Sequence, residues 1–177
     1  MRTLSAQGSL LLLIDLQARL LPAIAGGDAV LRNAARLVAG ARRLEVPLLF
    51  TEQYPRGLGA TAPELGAAPG EVAEKTTFDA CRAPGLTARL APDRAVVVVG
   101  TEAHVCVLQT VLGLIGAGRQ VAVVADAIGS RTADNRTAAL QRMARHGAEI
   151  VTTEMVLFEW LGDASHPAFR EIQALIK

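Results

Sequence analysis

Three side chains of this 177-residue chain could do chemistry together, and each stands beside a short apolar run: Asp15 after SLLLLI, Lys75 in EVAEKT and Cys106 shortly after AVVVVG. A thiol nucleophile needs a neighbouring group to take its proton and later return it to a leaving group, and a half-buried carboxylate can do both. An adjacent ammonium holds such anions ionised and oriented. Composition singles out Lys75, because 16 of the 18 basic residues are arginine and the only other lysine is Lys177. A merely solvated cation in this chain would be written as arginine. Lysine supplies a compact charge on a flexible stem, where arginine supplies a rigid planar fork. Each residue also has a plainer use. Asp15 could cap a helix or pair with an arginine, Lys75 could be solvated, and Cys106 could be one of the many cysteines that only fill a core.

The elements that must position these groups are legible as alternating patterns. Residues 9–15, 46–51, 71–76, 95–100, 120–126 and 149–152 read as strands, with SLLLLID and AVVVVG continuously apolar as buried parallel strands are. Residues 28–44, 104–118 and 133–147 carry apolar positions at helical spacing, and two further helical pieces close the chain. Strand–helix alternation at this spacing predicts one α/β domain over 1–177 with a parallel sheet. In such a sheet, sites form at the carboxyl ends of strands, where Asp15, Lys75 and Cys106 fall. The expected position of Cys106 in the first turn of a helix would lower its pKa and favour the thiolate. The loop over 54–70, rich in Pro, Gly and Ala, is too long for a simple connection and suggests a functional or oligomer-forming excursion.

Composition narrows the class. Net charge is +1, with no basic block, which argues against nucleic acid. No apolar run is long enough to span a bilayer, and SLLLLID is too short for a signal peptide. Two cysteines make no disulfide framework. The expectation is a cytoplasmic protein acting on a small molecule and assembling with copies of itself. Half the residues are hydrophobic (51%) but only 3% aromatic, so the core must be Leu, Val, Ala and Ile.

The motifs resemble the isochorismatase-like (cysteine) hydrolase superfamily over nearly the whole chain and in order. LLLIDLQ is similar to that family's first strand with its catalytic aspartate, EKTTFDA to its Lys-x-x-Phe segment, and VVVVGTEAHVCVLQT to its nucleophile strand and helix. VVADAIGSR and ALQRMARHGAEIVTTE resemble its later elements. The resemblance implies a three-layer α/β/α sandwich around a mostly parallel six-stranded sheet of Rossmann-like type. It also implies a triad of Asp15, Lys75 and Cys106. By the same resemblance, a cis peptide at Thr101–Glu102 aims the N–H groups of Glu102 and Cys106 at an oxyanion. Apart from the resemblance, Gln53, Tyr54 and Phe78 are pocket-wall candidates.

Departures from the family narrow the expectation further. No histidine lies between residues 51 and 70, and His104, His146 and His166 show no ligand spacing, so neither metal nor cofactor is expected. TEQYPRGLG with EAHVCV resembles the short isochorismatase-domain hydrolases of poorly defined substrate. The leading expectation is hydrolysis of an amide-type C–N bond through a Cys106 thioester. The alternatives are vinyl ether hydrolysis by Asp15 and Lys75 alone, or a non-catalytic scaffold. His104, Asp126, Cys81 and Trp160 are read as structural, and GLIGAG ends a helix instead of opening one, which excludes a dinucleotide fingerprint.

Overall fold

The computed structural model describes residues 3–177. Among them, β1 (Ser9–Ile14), β2 (Leu48–Gln53), β3 (Val72–Lys75), β4 (Ala95–Gly100), β5 (Val121–Ile128) and β6 (Glu149–Val151) form one sheet. Its order is β3-β2-β1-β4-β5-β6 and every pairing is parallel. The helices are α1 (Gly27–Arg43), the single turn α2 (Pro55–Leu58), α3 (Leu108–Gly116), α4 (Ala133–Arg145), α5 (Thr153–Leu161) and α6 (Phe169–Ile176).

Successive strand residues face opposite sides of a sheet, so a strand covered on both faces must be apolar throughout. In β1, Leu11 and Leu13 join a core beneath α1, α5 and α6. Leu10, Leu12 and Ile14 join a second core beneath α3 and α4. Both cores are chiefly aliphatic, with Phe50 and Trp160 in the first. The outcome is the expected α/β/α sandwich. Trp160 packs inside with its indole N–H donated to Ser9 Oγ at 3.1 Å. Among the described residues no helix is long and apolar enough to cross a membrane.

Strand order decides where a site can form. The chain runs outward from β1 through β2 to the edge strand β3, then returns to the other side of β1 as β4. Connections therefore diverge above the carboxyl ends of β1 and β4, leaving a crevice at that switch point. Ile14 and Gly100 are aligned there, so Asp15 and Thr101 are the next residues out. Gly100 is required: its φ is 145°, and a Cβ would overlap the carbonyl of Ile14.

Some boundaries differ from expectation. The second strand begins at Leu48 instead of Val46, because Pro47 has no N–H for the ladder, although its carbonyl accepts from Leu11 N at 2.9 Å. The loop over 54–70 is not structureless. It contains α2 and two short 3₁₀ turns, and it is pinned to the sheet. Buried Gln17 donates to the carbonyls of Gln53 and Gly59, and Glu52 accepts from the N–H (2.6 Å) and hydroxyl (2.8 Å) of Thr61.

Candidate active site

Asp15 leaves β1 with φ of 53°, in the left-handed region, and its side chain is fully buried. Three neighbours define its position. Thr51 Oγ1 donates to Oδ1 at 2.7 Å, Lys75 Nζ to Oδ2 at 2.7 Å, and Thr101 Oγ1 to the Asp15 carbonyl at 2.6 Å. Thr51 comes from within β2, Lys75 from the end of β3 and Thr101 from just past β4, brought alongside by register, with Thr51 paired to Ile14 and Lys75 paired to Gln53.

Lys75 ends β3 and its ammonium is equally buried. Its three N–H bonds have three acceptors: Asp15, Gln53 Oε1 at 2.7 Å and the carbonyl of Thr77 at 3.3 Å. Gln53 is in turn oriented by donating to Thr76 O at 2.8 Å. A buried ion pair is tolerable only when its remaining donors and acceptors are satisfied, and this one meets that condition. The outer edge of β3 is covered by Arg89, which donates to the carbonyls of Gly70 (2.7 Å) and Val72 (2.8 Å).

Cys106 lies just beyond β4. The helix it opens starts not as an α-helix but as a π-helical turn, Ala103–Val107, which then tightens into α3. Such turns often mark functional positions. Thr110 Oγ1 donates to the Cys106 carbonyl at 2.7 Å, and Cys106 as a residue is only 5% exposed. The structure corrects the expected thiolate. Burial first, and then the Asp15 carboxylate, push the thiol up from its ordinary 9.0 to about 12; the Lys75 ammonium opposes them, and Glu102 adds negative charge. Loss of water and two nearby carboxylates outweigh the helix terminus, so Cys106 rests as a neutral thiol in the field of Asp15 and Lys75.

A second correction concerns the turn at Thr101–Glu102. No cis peptide bond occurs among the described residues. The chain reverses with trans peptides by placing Glu102 in the left-handed region at φ 51° and ψ 57°. There Glu102 caps the π-helical turn: its carbonyl accepts from Val105 N at 2.8 Å. The N–H of Ala103 is used by Gly129 O at 2.8 Å, whereas that of Glu102 has no backbone acceptor among the described residues.

Of the pocket-wall candidates, Gln53 turns inward as an acceptor for Lys75. Tyr54 is 56% exposed and borders a cleft of about 360 Å³ with Arg56, Glu74, Lys75, Thr77 and Pro84. That cleft touches the lysine side of the site and not Cys106. Phe78 is exposed and outside the cleft. His104 Nδ1 lies 3.1 Å from Ser130 Oγ, and Asp126 Oδ1 accepts from Thr153 N at 2.8 Å at the start of α5. Cys81 is half-buried and its thiol is likewise pushed up to about 12, chiefly by burial. Sequence reasoning did not find Thr51, Thr101 as a side-chain donor, or the Glu102 carboxylate, which is paired to Arg131 at 2.8 Å. A threonine at the end of an otherwise apolar strand was the available signal for Thr51.

A doubly wound parallel sheet with a buried Asp–Lys pair and a cysteine above its switch point defines a hydrolase-like α/β/α domain. The isochorismatase domain family matches residues 9–155, and the chain belongs to that isochorismatase-like hydrolase family. It is 43% identical over 174 residues to isochorismatase domain-containing protein 2A of Mus musculus, covering 97% of this chain and 84% of that protein. Among solved structures it resembles MAR1 ribonuclease from Caenorhabditis elegans, with TM-score 0.91, 37% identity and coverage of 98% and 92% of the two chains. It also resembles YcaC from Pseudomonas aeruginosa with hexane-2,5-diol and covalent acrylamide, with TM-score 0.83, 26% identity and coverage of 99% and 98%.

Proposed function

We propose that this protein is a cysteine hydrolase acting on an amide-type C–N bond of a small molecule. The observation that carries this reading is the fully buried Asp15–Lys75 pair at 2.7 Å, in whose field the Cys106 thiol lies. The thiol attacks the substrate carbonyl carbon as its proton passes to Asp15, forming the S–C bond and an oxyanion. The N–H groups of Glu102 and Cys106 are the donors assigned to that oxyanion; two donors aimed at developing charge typically supply a large share of catalysis. Collapse breaks the C–N bond, and the amine leaves with the proton from Asp15. Water then attacks the thioester, passing a proton through Asp15 back to sulfur. Lys75 stays charged throughout and has no donor left for substrate, so its part is to hold Asp15. These steps need only side chains and water.

The covalent acrylamide on the Pseudomonas protein supports a nucleophile in this fold that reacts with a small electrophilic amide. Intact-protein mass spectrometry with acrylamide, in a Cys81→Ser background, tests the reading here. An adduct persisting after Cys106→Ala would rule the mechanism out. A screen of amides, ureas and carbamates by ammonia release then defines the substrate. The thiol's neutral resting state favours a second reading, vinyl ether hydrolysis by Asp15 and Lys75 without sulfur, in which Cys106→Ala retains activity on isochorismate and Asp15→Ala loses it. The same chemistry suits a cytoplasmic protein, and the exposed Tyr54, Phe78, Met155 and Phe158 favour self-assembly, which light scattering measures directly.

A further inference from the structure

Thr110, fully buried on α3, joins two segments of the site that are distant in sequence. Its hydroxyl donates to the Cys106 carbonyl at 2.7 Å and accepts from the N–H of Ala80 at 2.9 Å. Threonines inside helices often bond back to the carbonyl four residues earlier, and that bond alone would be ordinary. Here the residue four back is Cys106, where the π-helical turn passes into α3, and the same oxygen also receives a backbone N–H from outside the helix.

Ala80 belongs to a strap that begins at the buried ammonium. Lys75 Nζ donates to the Thr77 carbonyl at 3.3 Å, Thr77 Oγ1 donates to the Asp79 carbonyl at 2.8 Å, and the next residue, Ala80, meets Thr110. The strap follows one face of the nucleophile's helix, since Thr110 and Gly113 stand four and seven residues after Cys106. At Gly113 the Asp79 carboxylate takes the place of a side chain, with Oδ2 only 2.8 Å from where a Cβ would stand. Asp79 also accepts from Cys81 N at 2.9 Å, which fixes the short turn after it. Where the π-helical turn begins, Ala103 N–H donates to Gly129 O at 2.8 Å; where it ends, Thr110 is the tie.

We propose that Thr110 is a positioning residue for the nucleophile: through Ala80 it ties the Cys106 backbone to the strap from Lys75, and so holds the sulfur in register with the Asp15 carboxylate. This rests on the hydrolase reading, in which the thiol proton passes to Asp15. A π-helical turn carries one extra residue within a helix, so a contact that pins its end also fixes the direction in which Cys106 projects. Misplacing a reacting group by about 1 Å costs roughly a hundredfold in rate, so a hydroxyl that bonds only backbone has a large effect on chemistry.

The test follows acrylamide addition to the full chain at fixed pH, with the rates at Cys106 and Cys81 resolved by peptide mass spectrometry. Cys81 is the internal control, because its sulfur lies 3.9 Å from the Thr110 carbonyl and reports any loosening of this region. Thr110→Val keeps the shape without the two hydrogen bonds, and should slow Cys106 about ten- to a hundredfold with Cys81 no slower. Thr110→Ser restores the hydroxyl and should recover the wild-type rate within about threefold. A merely structural hydroxyl predicts the opposite sign, since local opening exposes both sulfurs and speeds both reactions. A folded Thr110→Val protein whose Cys106 reacts at the wild-type rate or faster overturns the proposal, as does Thr110→Ser reacting as slowly as Thr110→Val. If Thr110→Val fails to fold by circular dichroism, Thr77→Val decides from the other end of the strap: a severalfold fall at Cys106 upholds the proposal and an unchanged rate refutes it. No acrylamide adduct on wild-type Cys106 would instead sink the hydrolase reading, and this proposal with it.

Discussion

Removing half of the Asp15–Lys75 pair should cost far more than removing all of it. Both side chains are fully buried and 2.7 Å apart. In Lys75→Met, Asp15 retains only Thr51 as a side-chain partner, and Gln53 Oε1 loses its donor. Breaking a buried pair from one side typically costs about 3–5 kcal/mol, because an uncompensated charge remains. For a chain of this length each kcal/mol corresponds to about 2–4 °C in Tm, so each single variant should melt roughly 6–20 °C lower. Replacing both, as Asp15→Leu with Lys75→Met, removes the stranded charge and should recover most of the loss, since a buried pair often gives way to apolar residues at little cost. Independent effects would instead sum to about 6–10 kcal/mol. Urea unfolding followed by circular dichroism at pH 7 measures all four proteins, and amide turnover should be absent from every variant. A single variant losing less than about 1 kcal/mol, or a double variant as unstable as the sum, would refute the claim that these groups form one desolvated unit.

Three shorter expectations concern the same site. Cys106 and Cys81 both stand near 12 when folded against an ordinary 9.0, so the folded chain holds protons that the unfolded chain releases between those values; stability should be full below about pH 9 and fall as pH rises toward 12, and the Cys81→Ser, Cys106→Ser double variant should flatten that loss in urea midpoints taken at alkaline pH. Thr51→Val removes one hydrogen bond to a buried carboxylate with little change of shape, and should cost about 1.5–3 kcal/mol in urea unfolding with a matching fall in turnover. Gly100→Ala forces a Cβ against the Ile14 carbonyl at a φ of 145°, and should cost at least about 1–3 kcal/mol; wild-type stability in this variant would mean that the close approach of β4 to β1 is not rigid.

Much of the architecture could be read without coordinates. Continuous apolar runs such as LLLLI and AVVVVG belong to strands covered on both faces, and the amphipathic stretches between them could only be the covering helices. The end of a β1 so apolar makes Asp15 conspicuous, and a single internal lysine among arginines made Lys75 so. Family membership was legible for the same reason: its motifs run in order through β1, β3, β4 and the elements after them. Boundaries were less legible at β2, where Pro47 delays the ladder, and in the loop over 54–70, whose anchors Gln17 and Glu52 are distant in sequence from the residues they hold.

The sequence by itself determined the order of elements, the two-sided burial of the sheet and which three reactive side chains stand at strand ends, because periodicity and residue type are local properties. Only the tertiary structure decided that Thr51 and Gln53 complete the Asp15–Lys75 pair, that Glu102 turns the chain with trans peptides, and that the Cys106 thiol rests protonated. Those outcomes depend on distances and on the exclusion of water between segments 22 to 91 residues apart, and charge–charge energies follow separation in space and local dielectric, not separation along the chain.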